Sequence, residues 1–161
     1  KDFVSVESIQ EIVETALFAP SWKNTQVTRY YAITNREVKE QLVQAMPGFN
    51  QEATETAPVI IVSTMIRGRS GYKRDGEFDS PKGKGWQMYD CGLSNMLLCL
   101  AANELGLGTV IMGLYDEDAI SQLLRIPETE ELASVIALGY PDETPQMPRR
   151  KSINEVLTII E

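Results

Sequence analysis

The chain has 161 residues, 43% of them hydrophobic and 24% charged, which is enough apolar material to bury a core and too much for a disordered chain. Its 23 acidic against 15 basic side chains leave a net charge of −8, which repels phosphate backbones and anionic lipid and argues against nucleic-acid or membrane-surface binding. With no histidine and only two cysteines, Ser-His-Asp and Cys-His hydrolysis, His-containing zinc sites and all-cysteine zinc sites are set aside together.

In chain order, Val6, Ile9, Ile12, Val13, Ala16 and Leu17 recur at three and four residues, the pattern of an amphipathic helix with Ser5 or Ser8 as N-cap and Pro20 as its end. Ala19-Pro20-Ser21-Trp22-Lys23-Asn24-Thr25-Gln26 follows as a polar loop carrying a hydroxyl, two amides and an indole. Such groups can hydrogen-bond a planar heteroaromatic ligand, or they can simply make a turn. Residues 29–34 read as a short strand, 36–46 as a helix stopped by Pro47-Gly48, and 50–56 as helical. Residues 59–65 are an apolar run with the character of a strand buried on both faces.

Residues 67–85 hold five glycines, six basic and three acidic side chains and no periodicity. This loop is either a solvated excursion or a lid near an anionic ligand. Residues 86–105 form a helix that is apolar around most of its circumference, and so the central element of the fold or part of a subunit interface. Cys91 and Cys99 lie eight residues apart on it, about 12 Å at the rise of an α-helix, too far to pair, and are expected as reduced thiols. Gly106 caps the helix, residues 109–112 make a short strand ending at Gly113, Asp116 or Asp118 opens a helix to Leu124, and 132–139 form the last strand. Beyond a proline-rich link, Met147-Pro148-Arg149-Arg150-Lys151 sets three cations side by side, able to hold a phosphate or to stand solvated. Ser152 with Glu155 then makes a capping box for a final segment ending near Ile160.

Helices alternating with short strands favour a layered α/β or α+β architecture. Gly106-Leu107-Gly108 is no dinucleotide fingerprint, because Ile111 stands where the third glycine belongs and the glycines follow a helix.

As an ordered set these segments resemble the nitroreductase family of FMN-dependent oxidoreductases. Ala19, Pro20, Ser21, Asn24 and Gln26 match its A-P-S-x-x-N-x-Q loop, and Ala57-Pro58 its entry into the apolar strand. Asp90 and the run Ala101-Ala102-Asn103-Glu104-Leu105-Gly106-Leu107-Gly108 match its central helix and A-A-x-x-L-G-L-G end. Met112-Gly113-Leu114 matches its glycine-containing turn, Leu138-Gly139-Tyr140-Pro141 its L-G-Y-P strand end, and Arg149 or Arg150 the basic position before the last segment. Members usually carry Arg-x-Ser-x-Arg just ahead of the position of Lys1-Asp2-Phe3, with cations that hold the FMN phosphate. That motif is expected upstream of Lys1, because Asp2-Phe3-Val4-Ser5 continues the pattern.

The resemblance implies one domain over residues 1–161 with a nitroreductase-like α+β fold, a central mixed sheet flanked by helices. It also implies an intertwined homodimer with FMN at the subunit interface and a C-terminal segment wrapped onto the partner. The implied activity is an NAD(P)H-dependent flavin oxidoreductase reducing nitroaromatic or quinone-like acceptors by ping-pong hydride transfer, without a side-chain acid or base. The alternatives are dehalogenation, dehydrogenation or flavin fragmentation on the same fold, or a non-catalytic flavin-binding dimer. Carried over residue by residue, Pro20, Ser21, Trp22, Asn24 and Gln26 would meet the isoalloxazine and ribityl chain. Met112, Gly113 and Leu114 would offer backbone groups near the ring, and Arg150, helped by Arg149, would neutralise the phosphate. Trp22 and Phe49 are candidate walls for a planar acceptor, and Lys82 and Lys84 candidate contacts for the phosphates of the nicotinamide cofactor. A cytoplasmic location is expected.

Overall fold

The computed structural model describes residues 3–161, so the Lys1-Asp2 end of the upstream match lies outside the described residues. The elements are α1 (Val6–Ala16), a 3-10 turn at Trp22–Asn24, β1 (Thr28–Ile33), α2 (Arg36–Gln44), α3 (Gly48–Thr56), β2 (Val59–Ile66), α4 (Gly85–Glu104), β3 (Gly108–Met112), α5 (Glu117–Leu124), β4 (Glu130–Gly139) and α6 (Ile153–Val156). Local chemistry sets their starts. The side chains of Ser5, Asn35 and Asp116 accept the N–H of Ser8, Val38 and Ala119 and cap α1, α2 and α5. Gly106, at φ 73°, closes α4 in the left-handed conformation that a residue without Cβ adopts freely.

Among the described residues the sheet has four strands in the order β1-β2-β4-β3, and every neighbouring pair is antiparallel. The expected mixed sheet is therefore corrected to an antiparallel one. β2 and β3 run parallel, joined by the α4 crossover, but β4 lies between them and pairs antiparallel with both, so the parallel pair never shares a hydrogen bond. The alternation of a strand sends successive side chains of β2 to opposite layers. Ile61 packs with Ile12, Ala16, Leu98 and Ala102 under α1 and α4, while Ile60 and Val62 pack with Leu42, Met46 and Ile120 under α2 and α5. Both faces of β2 are covered, as its apolar run requires.

Helix α4 departs from the expectation of a helix apolar around most of its circumference. Its inward face carries Gln87, Asp90, Ser94 and Asn95 beside Cys91, Leu98 and Ala102, all buried. Its outward face carries Met88, Tyr89, Met96 and Leu100, each 48–59% exposed. This is the reverse of an isolated amphipathic helix. The inward polar groups are bonded: Asn95 Nδ2 donates to Ser63 Oγ at 3.0 Å and Ser134 Oγ at 3.2 Å, and Ser94 accepts from the Tyr30 hydroxyl at 2.9 Å and donates to the Ala16 carbonyl at 3.1 Å. β3 also exposes Val110 and Ile111, and residues 141–161 are exposed throughout, with Met147, Ile153, Val156, Leu157, Ile159 and Ile160 uncovered. Apolar exposure on this scale marks an interaction surface. No helix of the described residues is long and apolar enough to cross a membrane.

Candidate functional site

Helix α1 runs out before Pro20, and the chain then enters a contorted turn. Lys23, Asn24 and Gln26 sit at φ 46°, 55° and 48°, three non-glycine residues in the left-handed region within four positions. Each such residue costs roughly 1–3 kcal/mol and persists only where its surroundings over-determine it. Within the turn, the N–H of Gln26 donates to Ser21 Oγ at 2.9 Å, the N–H of Asn24 to the Ser21 carbonyl at 3.0 Å, and Gln26 Nε2 to Asn24 Oδ1 at 3.2 Å. Trp22 N–H donates to Asp90 Oδ2 at 2.9 Å, and the Trp22 ring packs 4.7 Å from that of Trp86, which in turn meets Tyr89 edge-on at 5.3 Å. Trp22 Nε1 is buried and has no hydrogen-bond partner among the described residues.

Beside this turn, Leu17, Pro20, Ser21, Gln26, Arg29 and Asp90 help to line a cleft of about 60 Å³. A cofactor-sized ligand needs ~300–1,000 Å³ to be enclosed, so one chain provides an edge of such a site and not its whole wall. The groups along that edge suit a flavin. The Ser21 hydroxyl and the Gln26 amide in its lining both donate and accept, as the mixed donor and acceptor rim of the ring requires, and Asn24 adds a second amide in the same turn.

The other expected residues do not join this edge in the chain. Met112 is buried at the end of β3, with Gly113 and Leu114 exposed beyond it. β3 and β1 are opposite edges of the sheet, three strand spacings of about 4.8 Å apart. Arg149 and Arg150 belong to the exposed tail, where Arg150 Nη1 donates only locally, to the Pro148 carbonyl at 3.2 Å. Phe49 stands 74% exposed on α3. The ten expected residues thus fall into three groups: the turn after α1, the end of β3, and the tail.

The basic loop is folded rather than a loose excursion. Lys73 N–H donates to the Glu77 carbonyl and Asp79 N–H to the Gly71 carbonyl, both at 2.8 Å, and the tilted rings of Tyr72 and Phe78 pack at 5.0 Å. Gly71, at φ 82°, lies so close to the Gly83 carbonyl that a Cβ would stand 2.1 Å from its oxygen. This loop docks on the turn after α1: Lys23 pairs with Asp79, and Ser70 hydrogen-bonds both Thr25 and Asp90. Sequence reasoning took Asp90 only as a marker of the central helix and missed it as part of the site. A usable signal was present, because Asp90 and Glu104 are the only charged residues in α4.

The phenols near the core titrate late. Burial pushes Tyr115 up to about 12, with Glu117 adding to it, and burial raises Tyr30 against the opposing effect of its hydrogen bond to Ser94. The folded state holds these protons at pH values where the unfolded chain begins to release them, near 10. Their contribution to stability is therefore complete below about pH 10 and is lost as pH rises toward and past the folded values. Urea unfolding is expected to give a flat free energy up to about pH 10 and a falling one from there to 12, with a shallower fall in Tyr115→Phe. Burial also raises the Cys91 thiol, which keeps it protonated and inert.

The comparisons with known proteins agree with this fold. The model of the nitroreductase family matches residues 1–48 and 42–140. A candidate NADH dehydrogenase/NAD(P)H nitroreductase of Archaeoglobus fulgidus is 31% identical over 144 residues, covering 87% of this chain and 76% of its own. A nitroreductase family protein from Streptococcus pneumoniae TIGR4 superimposes with a TM-score of 0.85 at 20% identity, over 98% of this chain and 91% of that one. A candidate nitroreductase of Exiguobacterium sibiricum 255-15, solved in complex with FMN, superimposes with a TM-score of 0.84 at 22% identity, over 98% and 88%. The protein is in the class of NAD(P)H-dependent oxidoreductases. Within that class, the chain belongs to the nitroreductase family.

Proposed function

We propose that the chain folds as one domain and works as a homodimer that holds FMN between its subunits and uses NAD(P)H to reduce nitroaromatic or quinone-like acceptors in ping-pong order. The observation that carries this reading is the contorted turn after α1, whose Pro20, Ser21 and Gln26 line a cleft too small to enclose a flavin, in a chain whose central helix turns an apolar face outward. A structural neighbour that binds FMN on the same fold supports it. When bound, FMN would supply the hydride chemistry, and the protein supplies position and electrostatics.

Ser21, Asn24 and Gln26 orient the ring through hydroxyl and amide hydrogen bonds, and Pro20 and Trp22 exclude water from its edge. Because the end of β3 and the tail stand apart from the turn within one chain, Met112, Gly113, Leu114, Arg149 and Arg150 complete the site from the other protomer. The backbone at Gly113 allows close approach, as nothing lies within 4 Å of where a Cβ would be. No general acid or base is assigned to any side chain.

The test is the visible absorbance of the purified protein supplied with FMN and passed through gel filtration, recorded before and after anaerobic NADPH or NADH. Retained flavin bands that bleach with at least one donor are expected. A colourless protein refutes the flavin reading, and bands that persist with both donors refute the reductase.

A further inference from the structure

We infer that Asp90 is the positioning residue of the flavin-binding turn, and that with Ser70 it makes the basic loop a clamp on that turn and not a lid over it. This rests on the FMN reading above and concerns what holds the turn in shape. Asp90 is 3% exposed, and no cation pairs with it among the described residues. A lone buried carboxylate is costly unless donors are aimed at it. Two are: Trp22 N–H at 2.9 Å and the hydroxyl of Ser70, itself fully buried, both meeting Oδ2. Ser70 also hydrogen-bonds Thr25 Oγ1.

Trp22 and Thr25 flank the left-handed pair Lys23 and Asn24. Both ends of the strained stretch are therefore tied to one carboxylate, directly at Trp22 and through Ser70 at Thr25. Because both donors meet the same oxygen, an amide with its carbonyl oxygen in that place keeps both acceptances and loses only the charge that strengthens them. The Lys23–Asp79 ion pair and the Trp22–Trp86 ring contact brace the same turn from the basic loop and the start of α4. Without the clamp, Lys23, Asn24 and Gln26 are free to leave the left-handed region, and the side chains of Asn24 and Gln26 lose their common orientation toward the ring.

The experiment compares the wild-type chain with Asp90→Ala, Asp90→Asn and Ser70→Ala, at a temperature where circular dichroism shows each one folded. Two measurements use protein without flavin: the rate of tryptic cleavage after Lys23, and the near-ultraviolet dichroism of the Trp22–Trp86 pair. A third is the FMN dissociation constant by fluorescence titration. Asp90→Ala and Ser70→Ala are expected to speed cleavage after Lys23 and weaken FMN at least tenfold each, with loss of the tryptophan signal. Asp90→Asn, which keeps one acceptor oxygen, is expected to fall between. If Asp90→Ala does not fold, Ser70→Ala carries the test. Variants that lower Tm while cleavage and FMN affinity stay at wild-type values overturn the clamp. If wild type itself does not bind FMN, the functional reading fails, while the two flavin-free measurements still decide whether Asp90 holds the turn.

Discussion

Leu100→Glu is expected to turn a dimer into folded monomers that no longer retain flavin. Leu100 is 50% exposed on the outward face of α4, so a carboxylate there stays in water while the chain is alone and does not threaten its fold. In the proposed dimer the same face is buried against a partner, and an unpaired charge in such a place costs roughly 3–5 kcal/mol. That raises the dissociation constant of the dimer by about two to four orders of magnitude. Sedimentation equilibrium reads the mass directly, and the absorbance of gel-filtered protein reads the flavin. Met96→Glu, on the same face and 53% exposed, is expected to behave alike. A variant that remains dimeric with flavin bound would place the interface elsewhere.

Arg150→Ala is expected to weaken FMN binding by about 1.5–3 kcal/mol, roughly ten- to a hundredfold, with a further loss when Arg149→Ala is added. Both side chains are exposed in the tail, and Arg150 makes only a local bond to the Pro148 carbonyl, so the melting temperature of the flavin-free protein should not move. Riboflavin is the control, since it lacks the phosphate and its affinity should be the same in variant and wild type. Equal losses for FMN and riboflavin would take the arginines away from the phosphate.

Much of the fold could be read from local chemistry. The three-and-four spacing of α1, the cap of α5 offered at Asp116 or Asp118 and found at Asp116, the apolar run of β2 and the Ser152–Glu155 capping box each depend on residues a few positions apart, and each stands where its pattern placed it. Strand order did not have that property. The mixed-sheet expectation came from the family resemblance, whereas the insertion of β4 between β2 and β3 is a choice among long-range pairings that no local window contains. The inverted polarity of α4 was hidden for a related reason. Composition shows how apolar a helix is, but which side meets the sheet depends on where Ser63 and Ser134 stand to receive Asn95.

The sequence by itself determined the family and the elements and singled out the loop after α1 as the proposed flavin contact, because ordered motifs and short-range periodicity are written along the chain. Only the tertiary structure decided that the turn after α1, the end of β3 and the tail are kept apart within one chain, and that the basic loop is fastened to the turn through Ser70, Thr25 and Asp90. Those relations join residues as far apart as Trp22 and Asp90, and they exist only after the sheet and α4 have brought distant segments within hydrogen-bond reach.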